Sequence, residues 1–381
     1  MKIPDAECIQ SALLNPCEIY LNTEFNEHDY WTQTGGATSS PEDGPERLWI
    51  KTIADIEPLG DQFGVTVPQS SPAQLRQALF GHPEGRADDA PFYTYALLDG
   101  AKLVGLPEIL EESGLECASL FQGAAEEDLR DVAPWIVRLD EKSRLTRGLF
   151  TRGNAAHHLW DAEPGLYLRS KQSLTGIRNQ LRKFTRLRSE ADKWYFFRFW
   201  EPFYFHVYSD RMARFPNLEA LWLKTFAGMD VLVPRVTTSS AIHIQVQELK
   251  RKDPTLIDTK LRAELKLSVL YRNMIGAAED LFELHEDEAR RYGESPADLW
   301  PLLYDFADEV RAVGLTDPEL RGRMMLLAFL KFHQPWPAFL DLPFWQKIRQ
   351  SPGQANDLFE DFCARLKYQS GRAEADLEVW W

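Results

Sequence analysis

The chain has 381 residues, 44% hydrophobic and 27% charged, the balance of an ordinary globular protein long enough for two domains or three small ones. Its formal net charge of -15 argues against nucleic-acid binding, because phosphate contact depends on a cationic surface. No apolar run approaches the roughly 20 residues of a membrane span, and MKIPDAECIQ at the N-terminus lacks a basic head leading into an apolar stretch, so no signal peptide and a cytoplasmic location are expected.

Residues 1–70 read as an irregular region that joins the sheet. Short apolar pieces such as Glu18–Leu21 and Leu48–Ile53 are separated by the loop-like stretch Thr34–Pro45, and Leu48–Ile53 fits a strand at a sheet edge. Ser71 to Gln74 combines a capping-box glutamine with a proline in the first turn and starts a helix through Leu75, Leu79 and Phe80. The signal recurs at Ser351–Gln354 and, in a close variant, at Ser295–Asp298.

From Phe92 onward strand and helix alternate. Strands are predicted at Phe92–Leu98, Ala118–Phe121, Pro134–Leu139 and Gly165–Leu168, a short helix at Leu106–Ser113, and a polar helical piece around Leu129–Val132. A helix from about Ser170 to Arg188 is predicted next, with Leu174, Ile177, Leu181 and Phe184 on one face and Arg178, Arg182 and Arg186 as a parallel stripe. Arg169 to Arg188 holds seven Lys or Arg and no acid, whereas Glu279–Glu309 is dominated by Asp and Glu. The stripe is expected to be a solvated face that meets internal acids, with a docking surface for an acidic partner as the alternative.

The stretch Trp194–Phe205, WYFFRFWEPFYF, has nine aromatic residues in twelve. Its period-two alternation predicts a central strand, in which Arg198 needs a carboxylate or carbonyl partner. Glu201 and Pro202 end that strand, a helical turn region carries Val207, Met212 and Phe215, and Val231–Val236 with Ala241–Val246 reads as a hairpin. The rest is helical: a seam of Leu267, Leu270, Met274, Ala277, Leu281 and Leu284, then Ala297–Val313, Pro318–Phe332, Pro343–Gln350 and Gln354–Lys367, before a tail ending in Trp380 and Trp381. The expected architecture is an α/β N-terminal domain with a small mixed sheet over residues 71–250, an all-α C-terminal domain over 251–370, and a tail over 371–381.

Walker, dinucleotide-binding, zincin and nucleophile-elbow motifs are absent. Cys8, Cys17, Cys117 and Cys363 are scattered, which predicts free thiols, no metal and no cofactor. His157 and His158 are adjacent and point apart, a poor metal pair. Asp99, Glu201 and His206 could form a carboxylate–imidazole site at a sheet edge. The structural alternative makes Asp99 a turn residue and pairs Glu201 with Arg198 or Arg169.

Five blocks occur in order: YALLDGA at Tyr95–Ala101, ASLFQG at Ala118–Gly123, VAPWIVRL at Val132–Leu139, LRS at Leu168–Ser170 with its basic helix, and FRFWEP at Phe197–Pro202. This set, within Ser71–Tyr208, resembles the adaptor-chaperone family of bacterial type VI secretion. The resemblance implies a non-enzymatic protein that binds a toxic effector, usually through the effector's N-terminal region, and helps load it onto the spike protein at the tip of the secretion tube. The family pattern falls on Asp99, Ser119, Leu120, Pro134, Arg169, Ser170, Arg198 and Pro202, with Glu201 where aspartate is commoner. The residues expected to carry partner binding or the family motif are Asp99, Arg169, Arg178, Arg182, Arg186, Arg198 and Glu201, and the two domains are expected to form a cleft or clamp that holds an effector segment rich in apolar residues. The rival expectations are a hydrolase using Asp99, Glu201 or His206, and an immunity or scaffold protein that binds the toxin.

Overall fold

Three apolar segments, Thr94–Leu98, Trp135–Val137 and Gly165–Leu168, bury their side chains on both faces and so specify neighbouring interior strands. The structure, a computed structural model, describes residues 48–82, 91–190, 192–246, 256–284, 286–315, 320, 324 and 343–370. The expected loop at Thr34–Pro45, the apolar piece Glu18–Leu21 and the tail with Trp380 and Trp381 lie outside these. So does the helix expected at Pro318–Phe332, apart from Leu320 and Met324. The chain divides into two compact units, Met1–Leu265 and Lys266–Trp381.

The first unit is built on seven strands: β1 (Leu48–Ile53), β2 (Tyr93–Asp99), β3 (Cys117–Ser119), β4 (Pro134–Arg138), β5 (Gly165–Ser170), β8 (Asp230–Arg235) and β9 (Ser240–Val246). They lie in the order β1-β9-β8-β5-β2-β4-β3, with every neighbouring pair antiparallel. The expected small mixed sheet is thus corrected to a large antiparallel one. Strand and helix alternate along the chain, but periodicity carries no strand direction, and here β2 accepts both β4 and β5 antiparallel. A mixed sheet does exist as a separate sheet of three strands, β6 (Arg186–Ser189), β7 (Trp194–Phe196) and β10 (Leu256–Ile257), in the order β10-β6-β7, where β10 runs parallel to β6. Where β5 crosses β2, Gly165 leaves no room for a side chain, since a Cβ there would run into the Leu97 carbonyl.

Helices α1 (Ala73–Phe80), α2 (Leu106–Ser113), α3 (Ala124–Asp128), α4 (Arg144–Leu149), α5 (Leu174–Leu181), α6 (Pro202–Asp210) and α7 (Pro216–Thr225) complete this unit, with the first turns of α8 (Thr259–Leu284). Both Ser143 and Ser173 accept a backbone amide hydrogen bond at the start of their helix, as N-cap serines do. From α8, Glu264 reaches the start of α7 and accepts from the Asn217 amide at 3.1 Å and the Leu218 amide at 2.7 Å, placing a carboxylate where the helix has unsatisfied N–H groups.

Two sequence expectations fail here for identifiable reasons. The aromatic stretch is no central strand: only Trp194–Phe196 is extended, at the edge of the small sheet, while Phe197–Glu201 turn and Pro202 opens α6. A proline at the first helical position suits a helix start. The rings record burial rather than extension, for Phe197, Phe199, Trp200, Tyr204 and Phe205 are all interior, and Phe205 stacks on Trp222 at 4.4 Å. The predicted basic helix also ends early, at Leu181. Thr185 donates its hydroxyl to the Arg182 carbonyl at 2.9 Å, a local bond that competes with helix continuation. Arg182 therefore caps α5 and Arg186 sits on β6, so the arginine stripe does not form.

The described part of the second unit is helical: the remainder of α8, α9 (Glu286–Ala289), α10 (Pro296–Ala312), α11 (Pro343–Gln350) and α12 (Ala355–Ser370). Tyr271 packs against Tyr304 at 4.8 Å and donates to Asp308 at 3.2 Å. Phe344 stacks on Phe362 at 4.1 Å. These aromatic contacts join helices distant in sequence.

Candidate functional site

Asp99 ends β2 and enters a tight turn. Its Oδ1 accepts from the Ala101 amide at 3.0 Å, while Gly100 donates to the Ala133 carbonyl at 3.0 Å. A Cβ on Gly100 would lie 2.6 Å from the Asp131 carbonyl oxygen, which fixes glycine at this position. The other Asp99 oxygen, Oδ2, accepts from Arg198 Nη2 at 2.7 Å, and Arg198 Nε lies 2.5 Å from Glu201 Oε1. All three side chains are sealed, at 1% exposure for Asp99, 7% for Arg198 and 2% for Glu201. Burial alone would lower the Arg198 pKa, but the Glu201 and Asp99 carboxylates outweigh it and raise it, so this guanidinium stays charged. Sequence reasoning paired Arg198 with Glu201; the turn adds Asp99 as the second carboxylate.

The carboxylate–imidazole site is not assembled. His206, on α6, directs Nε2 to the Pro234 carbonyl at 2.9 Å and makes no hydrogen bond or ion pair with Asp99 or Glu201. A carbonyl only accepts, so Nε2 carries the proton. Burial and then the nearby Arg235 hold the His206 pKa down at about 3, which keeps the ring neutral. Half-buried Glu163 accepts from the Val236 amide at 2.7 Å and is pushed up in pKa by burial.

Arg169 does not meet Glu201. From β5 it donates to the carbonyls of Leu79 and Gly81, the latter at 2.5 Å, and to the Thr94 hydroxyl at 3.2 Å. It thereby caps the C-terminal end of α1, where carbonyls lack helical donors and a cation is favoured. Burial lowers its pKa, opposed by Asp230, its cross-strand neighbour. Arg178 donates to the carbonyls of Ser119 at 2.6 Å and Phe121 at 3.0 Å, tying α5 to the end of β3. Arg182 and Arg186 remain at the surface. The structure thus gathers Asp99, Arg198 and Glu201 and places the four other arginines apart.

One surface feature was missed by sequence reasoning. Between Leu59, which bridges to Thr151, and the buried Ser71, the chain loops out, closed at its base by Gln62 and Gln69. Gln62 Nε2 donates to the Gln69 carbonyl at 2.8 Å, and its Oε1 accepts from the Gln69 amide at 2.6 Å. Phe63 and Val67, 95% and 81% exposed, project from this pinned loop with Val65 between them. The alternation Phe63, Val65, Val67 before Pro68 was the available signal. Among the described residues, no group of three or more His, Cys, Asp or Glu could hold a metal ion, and no helix is long and apolar enough to cross a membrane.

No curated protein and no solved structure matches the chain. Residues 94–214, the segment that carries Asp99, Arg169, Arg178, Arg198 and Glu201, match the family model described as Domain of unknown function (DUF4123).

Proposed function

We propose that this protein is an adaptor that holds a type VI secretion effector and helps load it onto the spike protein. The observation that supports this reading is the ordered set of five blocks that resembles the type VI adaptor-chaperone family, which falls in the stretch matched by the family model described as Domain of unknown function (DUF4123), residues 94–214. That segment contains all five blocks of the sequence resemblance. The geometry supports a binding role over the hydrolase rival, because Asp99 and Glu201 are sealed against one guanidinium and His206 is a buried neutral donor to Pro234. A general base needs reach to a substrate proton, and none of the three has a solvent-facing side chain. An adaptor instead needs a rigid body with contact groups at its surface, and the pinned Phe63–Val67 loop offers such groups.

The test is co-expression of the chain with candidate toxin and spike proteins, followed by purification and mass measurement of the complex. A defined complex containing both partners is expected. Turnover of peptide, ester, phosphodiester or glycoside substrates by the purified chain, lost on Asp99→Asn or His206→Ala with the fold intact, would overturn the adaptor in favour of an enzyme. Neutralisation of the toxin in a complex that excludes the spike would favour an immunity protein.

A further inference from the structure

The hairpin of β6 and β7 and the turn before it hold four cations close together in sequence, Arg182, Lys183, Arg186 and Arg188. Arg186 and Arg188 stand two residues apart on β6 with buried Leu187 between them, so both side chains leave the same face. Arg188 is registered opposite Trp194, which puts the indole on that face too, 46% exposed. The Arg186 guanidinium lies 5.3 Å from the Trp194 ring centroid. Arg182 and Lys183 stand at the turn that leads into β6.

Among the described residues, Arg182, Lys183 and Arg186 have no carboxylate partner, whereas Arg76, Arg130, Arg152, Arg178 and Arg235 each have one. The chain as a whole has 58 acids to 43 basic residues, so this local group of cations stands against an acidic background. Arg188 does pair with Asp192, but both side chains are at least half exposed, and such a pair is easily exchanged for another carboxylate.

We infer that this face of the hairpin is a docking surface for an acidic, extended segment of a partner protein. Arg186 and Arg188 are roughly 6.6 Å apart along the strand, the spacing of alternate side chains in an extended peptide, so each can take one carboxylate of an i, i+2 acidic pair. A guanidinium held beside an indole is oriented before binding and offers its fork to a carboxylate. Trp194 supplies apolar area for the partner side chain that lies between the two acids. A nucleic acid fits less well, because its continuous charge would extend past this patch into the field of a chain whose net charge is -15. The inference rests on this face alone and stands whether or not the partner is a secreted effector.

The test uses the full chain and a fluorescent synthetic peptide alternating glutamate with leucine, followed by anisotropy across a salt series. The matched lysine–leucine peptide and a single-stranded oligodeoxynucleotide serve as comparison probes. Binding of the acidic peptide alone is expected, weakening with salt and by about tenfold or more in Arg186→Glu. Trp194→Ala should weaken it as well. Lys183→Glu, at an exposed position, reports the same electrostatic loss without risk to the hairpin. Equal binding by wild type and all three variants would overturn the inference, as would tighter binding of the oligonucleotide with the same variant pattern. The chain's own acidic tail is tested by neutralising Glu374, Asp376 and Glu378 together. If the peptide binds only after that change, the tail is the occupant and the partner assignment is wrong.

Discussion

Arg198 and Asp99 lie ninety-nine residues apart in sequence and meet at 2.7 Å in the interior, where the turn after β7 comes back over the end of β2. Glu201, three residues on, holds the same guanidinium from its other side at 2.5 Å. One arginine thus fixes the turn into α6 against the turn that leaves β2. Removing one member of a buried ion pair strands the remaining charge, which typically costs about 3–5 kcal/mol. Arg198→Ala should therefore lower stability by about that amount, read as a fall in the urea midpoint. Arg198→Lys keeps the charge but loses the fork, and should fall between. An unchanged midpoint in the alanine variant would show that the pair contributes little to the fold.

Arg169 predicts a more local effect. Replacing it with methionine leaves the Leu79 and Gly81 carbonyls without their cationic donor, and hydrogen bonds to a charged group are worth about 1.5–3 kcal/mol. The loss should appear as faster amide exchange in Ala73–Phe80 as well as a lower midpoint. Uniform acceleration across the first unit, with no excess in this helix, would argue against the capping role.

At Gly100 the expectation is steric. A Cβ there meets the carbonyl oxygens of Asp131 and Ala133 at 2.6 and 2.7 Å, and backbone cannot yield as a flexible side chain does. Gly100→Ala should cost about 1–3 kcal/mol, the scale of an overpacked interior. Because the same turn aims Asp99 at Arg198, its cost should overlap with that of Arg198→Ala in a double-mutant cycle. Full additivity would separate the two.

His206 sets a pH dependence. Its pKa is about 3 in the folded protein against 6.5 for the free side chain, so between these values the unfolded chain alone takes up the proton. The stability this contributes is fully present above about pH 6.5 and is lost as pH falls towards 3, by at most about 1.4 kcal/mol per pH unit. Glu163, whose pKa is raised, acts in the opposite sense and favours the folded state as its carboxyl protonates. His206→Gln retains a donor for Pro234 and should show a loss of stability between pH 7 and 5 that is smaller by about 2 kcal/mol. Identical pH profiles for the two proteins would rule His206 out as the titrating group.

Sequence by itself determined much of the secondary structure of this protein. The helix Leu106–Ser113, the strand around Pro134–Arg138, the edge strand Leu48–Ile53 and the hairpin ending at Val246 are set by local periodicity and by turn residues that act within a few positions. The need of Arg198 for a buried partner was legible too, because an arginine among aromatic rings has no water to turn to. Only the tertiary structure decided that β2 pairs antiparallel on both sides, since a period of two is the same for either direction. It also decided that the aromatic stretch turns at Arg198 instead of running straight, because burying rings such as Phe197, Phe199 and Trp200 satisfies the hydrophobic requirement in either conformation. Arg169, Arg178 and Arg186 carried equal charge in the sequence. Their fates separated only when folding brought backbone carbonyls to the first two and the Trp194 ring to the third, partners that a linear pattern of charges does not contain.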